Sequence, residues 1–495
     1  MRIIKIETKN FRAFGSRPLK IDLTAKGKNL LVYGENGSGK SSLFFALKDF
    51  LECADRASDK RDVTIFPFRN IFATTDDGFV KLELTGLPRP AMQSKSQKKR
   101  PVNEVFEWSG KKDDTGNQLI LEINKTKGFI DYKALLTTYF LQQEEDSGQD
   151  KKPINIFNLI IKNILKHAEN DITRTKFGEE WKTINENLGN LNFRSKTQIQ
   201  NFEKSIKDFN DGLRNKLDEL ETTAKTLLDY FKYQIGIEIN YGGVQFTSAE
   251  KRIERQIINL KVKFFAESRE DHHLFLNEAK LSAIAVSIFF SALLLQPESR
   301  LRILALDDVL IGLDMSNRLP VLEILHNHFA DYQIFFFTYD KAWYEIVRQR
   351  VGETDWKHVE FYSGNTDAHD LPIYAEEGNY FKVAEDYLKK NDYKAAMVYL
   401  RTHLEIKLKK FCDKKGIPVL YHLAEKDFSC ENFWDALKKY ESGGSKFLDD
   451  TIIRDIETYR RVAINQLCHA SFAGTHLQEV TDAMKAVKTL TDKLV

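Results

Sequence analysis

The 495-residue sequence has few cysteines and no long apolar run. Its four cysteines, Cys53, Cys412, Cys430 and Cys468, form no C-x-x-C pair, which argues against a zinc site and against a disulfide framework. The most apolar stretch, residues 281–295, contains serines and is too short to cross a bilayer. The N-terminal residues alternate like a β-strand and lack the apolar core of an export signal. We therefore expect a cytoplasmic protein with no membrane partner.

An excess of charge of either sign is also missing. The 74 lysines and arginines nearly balance the 72 aspartates and glutamates, and the formal net charge is +2. A global basic field for nucleic acid is excluded, so any such partner must meet a local patch. The basic run 93–101 is predicted to be an exposed loop, with DNA contact as the alternative.

Four segments differ in their hydrophobic pattern. Residues 1–152 contain short β-like runs, 153–234 are helical and heavily charged, 235–368 end in apolar strands, and 376–495 are helical throughout. At about 150 residues per domain, the length alone predicts two to four units. The second segment is predicted to be a helical hairpin inserted between the first and third segments. The fourth is predicted to be a separate all-α bundle.

A glycine-rich phosphate-binding loop is the strongest motif. Residues 34–41, GENGSGKS, match G-x-x-x-x-G-K-[ST] and lie between the apolar run 30–33 and a helical stretch. Inward-turned backbone amides and the helix N-terminus bind phosphates, Lys40 reaches the β- and γ-phosphates, and the Ser41 hydroxyl binds magnesium. The predicted nucleotide contacts in this loop are Asn36, Gly37, Gly39, Lys40, Ser41 and Ser42.

A second motif places acidic residues at the end of a buried strand. The run Ile303-Leu-Ala-Leu-Asp307-Asp308 has four apolar residues followed by two carboxylates. The carboxyl ends of such strands are where α/β sheets bind their ligands. Asp307 is predicted to hold Mg²⁺ and Asp308 to be the catalytic base that polarises the attacking water.

The order of these motifs resembles the ABC-type ATPase heads of the RecF and SMC class. Gly312-Leu-Asp314 matches the D-loop of that family, which implies that Asp314 contacts nucleotide across a dimer interface. The segment 277–285 is similar to the ABC signature, with Ser282 in the position that contacts the γ-phosphate of ATP on the other subunit. Ala283 replaces the family glycine, and a plain amphipathic helix is the alternative. The family usually has glutamate at the position of Asp308.

Three further positions carry the resemblance. In Tyr139-Phe-Leu-Gln142-Gln143, either glutamine is similar to the Q-loop residue that contacts Mg²⁺ and water, and a plain strand end is the alternative. Residues 10–14, NFRAF, resemble the opening of RecF- and SMC-type heads, which makes Arg12 a candidate phosphate contact. Tyr339 stands near the expected switch histidine, and we assign it no role.

The resemblance implies an architecture and a mode of assembly. The expected fold is an α/β ABC-type ATPase head, a P-loop fold with an antiparallel β lobe, a short inserted helical hairpin and an all-α C-terminal bundle. The implied cofactors are ATP and Mg²⁺, with Ser41, Gln142 and Asp307 as metal contacts. The implied assembly is a homodimer, or a higher even oligomer, joined through ATP-bound heads.

The C-terminal segment contains a second candidate active site. Arg401 and Glu405 are four residues apart on one helix face, and Asn465-Gln-Leu-Cys-His469 ends a predicted long helix. This arrangement resembles the HEPN-type nuclease domain of the anticodon nucleases PrrC and RloC. It implies catalysis by Arg401, Glu405 and His469 without metal, with Asn465 positioning the histidine. The usual HEPN spacing of arginine to histidine is not matched, and a surface ion pair is the alternative for Arg401 and Glu405.

Three functions fit these features. The first is an ATPase of antiphage defence whose C-terminal domain cleaves tRNA after a phage-derived trigger. The second is an ATPase scaffold that restrains a separately encoded nuclease or toxin effector. The third, a RecF-like DNA-repair ATPase, is disfavoured because that class has no place for the α-helical domain.

Overall fold

The computed structural model of this protein describes residues 1–58, 64–87, 102–139, 155–265, 267–269, 275–365, 370–376, 380–389, 393–419, 430–459 and 477–494. The chain divides into two compact units, Met1–Tyr374 and Ala375–Val495. Within these ranges, none of the helices combines the length and the apolar character that a membrane span requires.

The strands are numbered along the chain. They are β1 Ile3–Lys9, β2 Leu19–Asp22, β3 Asn29–Gly34, β4 Phe79–Leu87, β5 Val102–Ser109, β6 Gly128–Asp131, β7 Ile235–Tyr241, β8 Gln245–Thr247, β9 Arg252–Glu254, β10 Ile258–Phe264, β11 Glu267–Arg269, β12 Arg302–Asp307, β13 Tyr332–Thr338, β14 Trp356–Asn365, β15 Asp370–Glu376, β16 Glu441–Ser442 and β17 Ser445–Lys446.

The helices are numbered in the same way. They are α1 Lys40–Ser58, α2 Gln118–Thr126, α3 Tyr132–Tyr139, α4 Phe157–Leu159, α5 Phe177–Gly189, α6 Lys196–Leu228, α7 Glu278–Leu294, α8 Met315–His328, α9 Lys341–Val351, α10 Tyr380–Lys389, α11 Tyr393–Lys415, α12 Cys430–Lys438, α13 Asp450–Tyr459 and α14 Leu477–Lys493. A π-helical turn, Ile160–Ile164, continues α4, and 3₁₀ turns occur at Phe66–Phe68 and Asp229–Phe231.

A six-stranded sheet in the order β15-β14-β3-β13-β12-β6 organises the first unit. The pairings of β12 with β13 and β6, and of β3 with β13 and β14, are all parallel. The strands β3, β12 and β13 are apolar runs buried on both faces, as parallel strands between helices must be. Their carboxyl ends lie at one edge of the sheet, where β3 leads into α1.

A second sheet, in the order β2-β1-β4-β5, is antiparallel throughout. In β1 and β2, buried residues alternate with more exposed ones, which is the pattern of a sheet with one face on the core. This sheet is the antiparallel β lobe predicted from the sequence. Its apolar side chains share a core with α1, α2 and part of the six-stranded sheet.

The helices between the two halves of the first unit form one continuous core with it. In α6, the residues Phe202, Ile206, Phe209, Leu213, Leu217 and Leu220 recur every three or four positions and are buried. They belong to the same cluster as the buried side chains of α7 and several residues of the six-stranded sheet. The segment predicted as an inserted hairpin therefore packs as part of the first unit, followed by the three-stranded sheet β11-β10-β7 and the hairpin β8-β9.

The second unit contains α10 to α14 and the two-residue strands of the β16-β17 hairpin. Leu400, Leu404 and Leu408 repeat every four residues on α11, so they form one buried face of that helix. They belong to one core with Trp434 of α12 and Val487 of α14. These buried side chains give the second unit a core of its own. Full burial of a side chain such as leucine contributes roughly 1.5–3 kcal/mol to the free energy of unfolding.

Candidate functional site

The loop between β3 and α1 has the geometry of an anion-binding nest. Gly37 and Gly39 have φ of +83° and +90°, values at which any side chain is strained. At Gly34, an added Cβ would lie 2.7 Å from both Lys40 Cβ and Ser38 Oγ. The glycines are therefore required by backbone conformation and close approach. The loop directs the N-terminus of the 19-residue helix α1 toward the carboxyl edge of the six-stranded sheet.

Lys40 joins this loop to the end of β12. Its Nζ donates to Asp307 Oδ1 at 3.0 Å and also donates to Asp308 Oδ2. Lys40 and Asp307 are only 4% and 7% exposed, so the cation and both carboxylates interact largely out of water. Such charge-assisted hydrogen bonds are stronger than neutral ones. The structure thus brings together three of the predicted site residues.

Asp308 has an unusual backbone and a perturbed carboxylate. Its φ is +54°, a region that aspartate and asparagine enter more readily than longer side chains. Its Oδ1 accepts a hydrogen bond from the backbone N–H of Tyr339 at 3.0 Å. Burial raises the pKa of Asp308, and Lys40 only partly opposes this. A raised pKa suits a carboxylate that accepts a proton from water.

Asp131, which the sequence analysis did not single out, lies next to Asp307 in the sheet. The strand β6 pairs in parallel with β12, and the register places Asp131 directly opposite Asp307. Asp131 Oδ1 accepts from the backbone N–H of Ala134 at 2.7 Å and begins α3. The signal was present in the sequence, because Gly-Phe-Ile-Asp131, like the run before Asp307, has apolar residues before an acid.

The predicted Q-loop is described only up to Tyr139. The alternative interpretation of this segment as a plain strand end is wrong, because Tyr139 is the last residue of the helix α3. Gln142 and Gln143 fall outside the residues that the structure describes. The residue that leaves the strand beside β12 is Asp131.

Ser282 does not occupy an exposed position. It lies on the second turn of α7, is 1% exposed, and its Oγ would be 2.3 Å from a Cβ added to Gly312. The contact of this hydroxyl with ATP on another subunit stays a prediction from the sequence. At the N-terminus of the same helix, Asn277 and Glu278 are exposed, and the Asn277 side chain accepts from Lys280 N.

Asp314 and Tyr339 lie close to the same edge. Asp314 is exposed and caps α8 by accepting from the backbone N–H of Asn317 at 3.2 Å. Tyr339 is 40% exposed and contacts Asp308 through its backbone. The predicted D-loop is therefore exposed at Asp314, and it follows Asp307 and Asp308 in the chain after the end of β12.

Arg12 lies beside the phosphate-binding loop with its charge already paired. Its Nη2 donates to Asp49 Oδ2 of α1 at 2.7 Å, and its guanidinium lies 4.2 Å from the ring centroid of Phe45. Arg12 and Gly37 both line a cavity of about 570 Å³. The remaining lining residues are Ala13, Pro67, Phe68, Arg69, Asn70, Ile71, Phe72 and Pro372.

The described residues of the second unit include only Arg401 and Glu405 of the predicted triad. Glu405 Oε1 pairs with Lys409 Nζ at 2.7 Å, one turn along α11, and no ion pair joins it to Arg401. Asn465 and His469 lie outside the described ranges, as do Arg460 and Arg461. The buried histidine that the structure does describe on α11 is His403, whose ring lies 5.5 Å from that of Phe381.

Comparison with known proteins gives one family match. The model of the family described as "AAA domain" matches residues 5–256. No curated protein matches the chain.

Similar solved structures include three SMC heads. The Smc head domain with an extended coiled coil bound to the C-terminal domain of ScpA from Pyrococcus furiosus is 12% identical, with a TM-score of 0.45, and covers 78% of this chain and 99% of its own. The SmcHead bound to the C-winged helix domain of ScpA is 10% identical (TM-score 0.43, coverage 77% and 100%). The SMC head domain from Thermotoga maritima is 12% identical (TM-score 0.33, coverage 76% and 100%).

Proposed function

Because this chain belongs to the AAA domain family, with a model match over residues 5–256, we propose that ATP pairs two copies of its first unit and that hydrolysis separates them. The chain is an ATPase of this general type. The pairing, and what it controls, are the proposal. The single observation that carries it is the joint placement of Lys40, Asp307 and Asp308 at one edge of the sheet.

Nucleotide binding changes the partners of Lys40. In this structure its ammonium neutralises Asp307 and Asp308, and the β- and γ-phosphates compete for the same cation. When the Lys40 ammonium binds phosphate instead, Asp307 is available to Mg²⁺ and Asp308 to the attacking water. The two acids thus hold the lysine in place before nucleotide arrives and are available to the reaction afterwards.

Ser41 and Asp307 form a donor set that suits Mg²⁺. A hydroxyl and a carboxylate are the hard oxygen ligands that this ion takes together with phosphate oxygens and water. Held by Ser41 and Asp307, Mg²⁺ would supply positive charge against the negative charge that develops on the phosphates. Asp308 accepts the proton of the attacking water, and its raised pKa makes it a better base.

The cavity beside Gly37 accepts the nucleoside end of the ligand. Its volume of about 570 Å³ lies within the range of small-molecule sites, and Phe68, Phe72 and Arg12 give it flat apolar and cationic surfaces. Such surfaces stack on a purine base. We therefore place the base toward Arg12 and the phosphates toward Lys40.

The second copy approaches the exposed segments around the acids. Ile311, which is 37% exposed, and the exposed Asp314 lie on the loop after β12. The exposed Asn277 at the start of α7 lies on the neighbouring element, since Gly312 adjoins Ser282 and Glu278 of α7. These positions, together with Ser282, are the proposed contacts to ATP held by the partner copy.

The ATP cycle controls the second unit in this proposal. The sequence resemblance to anticodon nucleases supports tRNA cleavage in antiphage defence, with Arg401, Glu405 and His469 as the catalytic groups and a phage-derived trigger. An RNA 2′-hydroxyl attacks the adjacent phosphorus and forms a 2′,3′-cyclic phosphate, while the bond from phosphorus to the 5′-oxygen of the next nucleotide breaks and that oxygen leaves with a proton. His469 acts as the acid or base, Arg401 stabilises the developing charge, and Glu405 orients one of them.

A second candidate function is restraint of a separately encoded effector protein by the second unit. The ion pair between Glu405 and Lys409 favours it, because this pair gives the glutamate an ordinary structural role on α11. In this case Arg401 and Glu405 contribute to docking and stability only.

The test compares wild type, Lys40→Ala and His469→Ala during phage infection, with total tRNA separated on a denaturing gel. Lys20→Ala, an exposed lysine on β2, is the matched control. The nuclease is supported if both variants lose protection and if His469→Ala produces no tRNA fragments while it retains ATPase activity. Wild-type behaviour of His469→Ala supports docking of an effector. Light scattering with and without ATP tests the pairing itself, which Lys40→Ala should abolish.

A further inference from the structure

We propose that Arg318, near the start of α8, is a positioning residue that couples the loop Gly312–Asp314 to the carboxylate of Asp308. The inference rests on the proposed ATPase cycle and goes beyond it, because it assigns a route from the surface loop to the catalytic base. The route is a series of hydrogen bonds between residues far apart in the chain.

The first part of the route holds the loop. Arg318 Nε donates to the carbonyl oxygen of Leu313 at 2.7 Å, and the Arg318 backbone N–H donates to the carbonyl of Asp314 at 3.1 Å. Leu313 is buried, whereas Ile311 on the same loop is 37% exposed. A second copy that presses on the exposed part of the loop therefore displaces the carbonyl to which Arg318 is bonded.

The second part joins α8 to the end of β13. Arg318 Nη1 donates to Asp340 Oδ2 at 2.6 Å, and the side chains of the pair are only 13% and 29% exposed. Asp340 Oδ1 accepts from the backbone N–H of Trp343 at 3.1 Å and so caps α9. The Arg318 guanidinium also lies 5.9 Å from a ring centroid of Trp343. The planar guanidinium thus binds two elements at fixed angles.

The third part reaches the base. Tyr339 immediately precedes Asp340, and its backbone N–H donates to Asp308 Oδ1 at 3.0 Å. The other oxygen of Asp308 accepts from Lys40. Asp308, Arg318, Tyr339 and Asp340 also line one small cavity. A displacement of Asp340 therefore changes the direction in which the Asp308 carboxylate points.

Charge and geometry make this pair a coupling element and not a surface ion pair. An exposed arginine–aspartate pair contributes little and tolerates loss. Arg318 instead donates to a carbonyl on one element and to a carboxylate on another, and both acceptors are mostly buried. Misplacement of a catalytic group by about 1 Å costs up to about 100-fold in rate.

The experiment measures steady-state ATP hydrolysis by the full chain with Arg318→Ala, Arg318→Lys and Asp340→Asn. The matched control is Arg302→Ala at the opposite end of β12. Arg302 pairs with Asp331 at 2.7 Å and lies 5.6 Å from the ring centroid of Tyr332. It therefore has the same kinds of partner as Arg318, namely one aspartate and one aromatic ring. A thermal melt of each variant accompanies the kinetics.

The expected result is a kcat about 10- to 100-fold lower for Arg318→Ala, with KM for ATP within about threefold of wild type. Arg318→Lys keeps the charge but cannot donate to both acceptors, so its loss is smaller. The double variant Arg318→Ala with Asp340→Asn loses no more than either single variant, because both remove the same link. Arg302→Ala retains the wild-type kcat.

Four outcomes overturn the inference. An unchanged kcat in Arg318→Ala shows that the hydrogen bonds of Arg318 do not affect ATP hydrolysis. An equal loss in Arg302→Ala, or additive losses in the double variant, indicates general destabilisation. A raised KM at unchanged kcat indicates a role in binding. If Arg318→Ala does not fold, Arg318→Lys and Asp340→Asn decide the question. A wild type without ATPase activity refutes the proposed function itself, which distinguishes that failure from the others.

Discussion

The ammonium group of Lys40 lies 3.0 Å from Asp307 Oδ1, and this contact joins the phosphate-binding loop to the strand β12. The two residues are 267 positions apart in the chain. Both are buried, and Asp308 shares the same ammonium. One cation thus holds two carboxylates at the place where phosphate is expected, and this arrangement leads to the first prediction.

Substitution of Lys40 by methionine should lower both stability and nucleotide affinity. Without the ammonium, two buried carboxylates face each other unpaired, and breaking a buried pair from one side costs on the order of 3–5 kcal/mol. Thermal unfolding and titration with a fluorescent ATP analogue measure the two effects. Adding Asp308→Asn to Lys40→Met should restore part of the stability and none of the binding. Equal melting temperatures for wild type and Lys40→Met would contradict the account.

Substitution of Asp308 by asparagine should stop hydrolysis and leave ATP binding intact. Asparagine tolerates the φ of +54° as well as aspartate does, but it cannot accept the proton of water. We expect a kcat at least about 100-fold lower, in the range that general-base catalysis contributes, and ATP-bound pairs that persist in light scattering.

Asp308→Glu is the informative companion variant. Glutamate is the residue that the resemblance to ABC-type heads leads us to expect here, yet its side chain is less tolerant of a left-handed backbone, a conformation that costs roughly 1–2 kcal/mol. The prediction is a melting temperature below wild type with no gain in kcat. A faster and equally stable enzyme would show that the backbone does not select aspartate here.

Substitution of Gly212 by alanine should destabilise the packing of α6. An added Cβ would lie 1.9 Å from Asn170 Oδ1, and Asn170 is fully buried and bonded to Glu180 at 2.9 Å. Overpacking of this kind costs about 1–3 kcal/mol. Gly189 in α5 has no atom within 4 Å of such a Cβ, so Gly189→Ala is the matched control. Chemical denaturation should show a loss for Gly212→Ala alone.

The second unit should lose stability as pH falls below about 6.5. Burial lowers the pKa of His403 from 6.5 to about 4, with Lys407 adding to the effect and Asp492 opposing it. The unfolded chain therefore binds a proton between these values that the folded unit does not bind. Stability is full above the unfolded pKa and decreases by on the order of 2 kcal/mol at pH 5.

Hydrogen exchange of α11 peptides, corrected for intrinsic rates, measures this pH effect in the full chain. Replacement of His403 by phenylalanine should remove most of the pH dependence, since the ring packs against Phe381 without a titrating group. His326→Gln, at an exposed position, should leave it unchanged. A pH dependence that persists in His403→Phe would assign the effect to other groups.

The sequence by itself determined the features that depend on short contiguous stretches. The phosphate-binding loop, the apolar strand before Asp307 and the antiparallel lobe follow from local chemistry, because glycine permits φ above zero and buried strands need unbroken apolar runs. Their order was enough to predict an ATPase head, and residues 5–256 match the AAA domain family.

Only the tertiary structure decided which distant residues meet. The register between β6 and β12 brings Asp131 beside Asp307, the burial of α7 removes Ser282 from the surface, and Arg318 reaches Asp340. Local periodicity states that a helix or strand has an apolar face, but not which partner covers it or in which register. Those choices depend on packing among elements far apart in the chain, and they position the base and its supports.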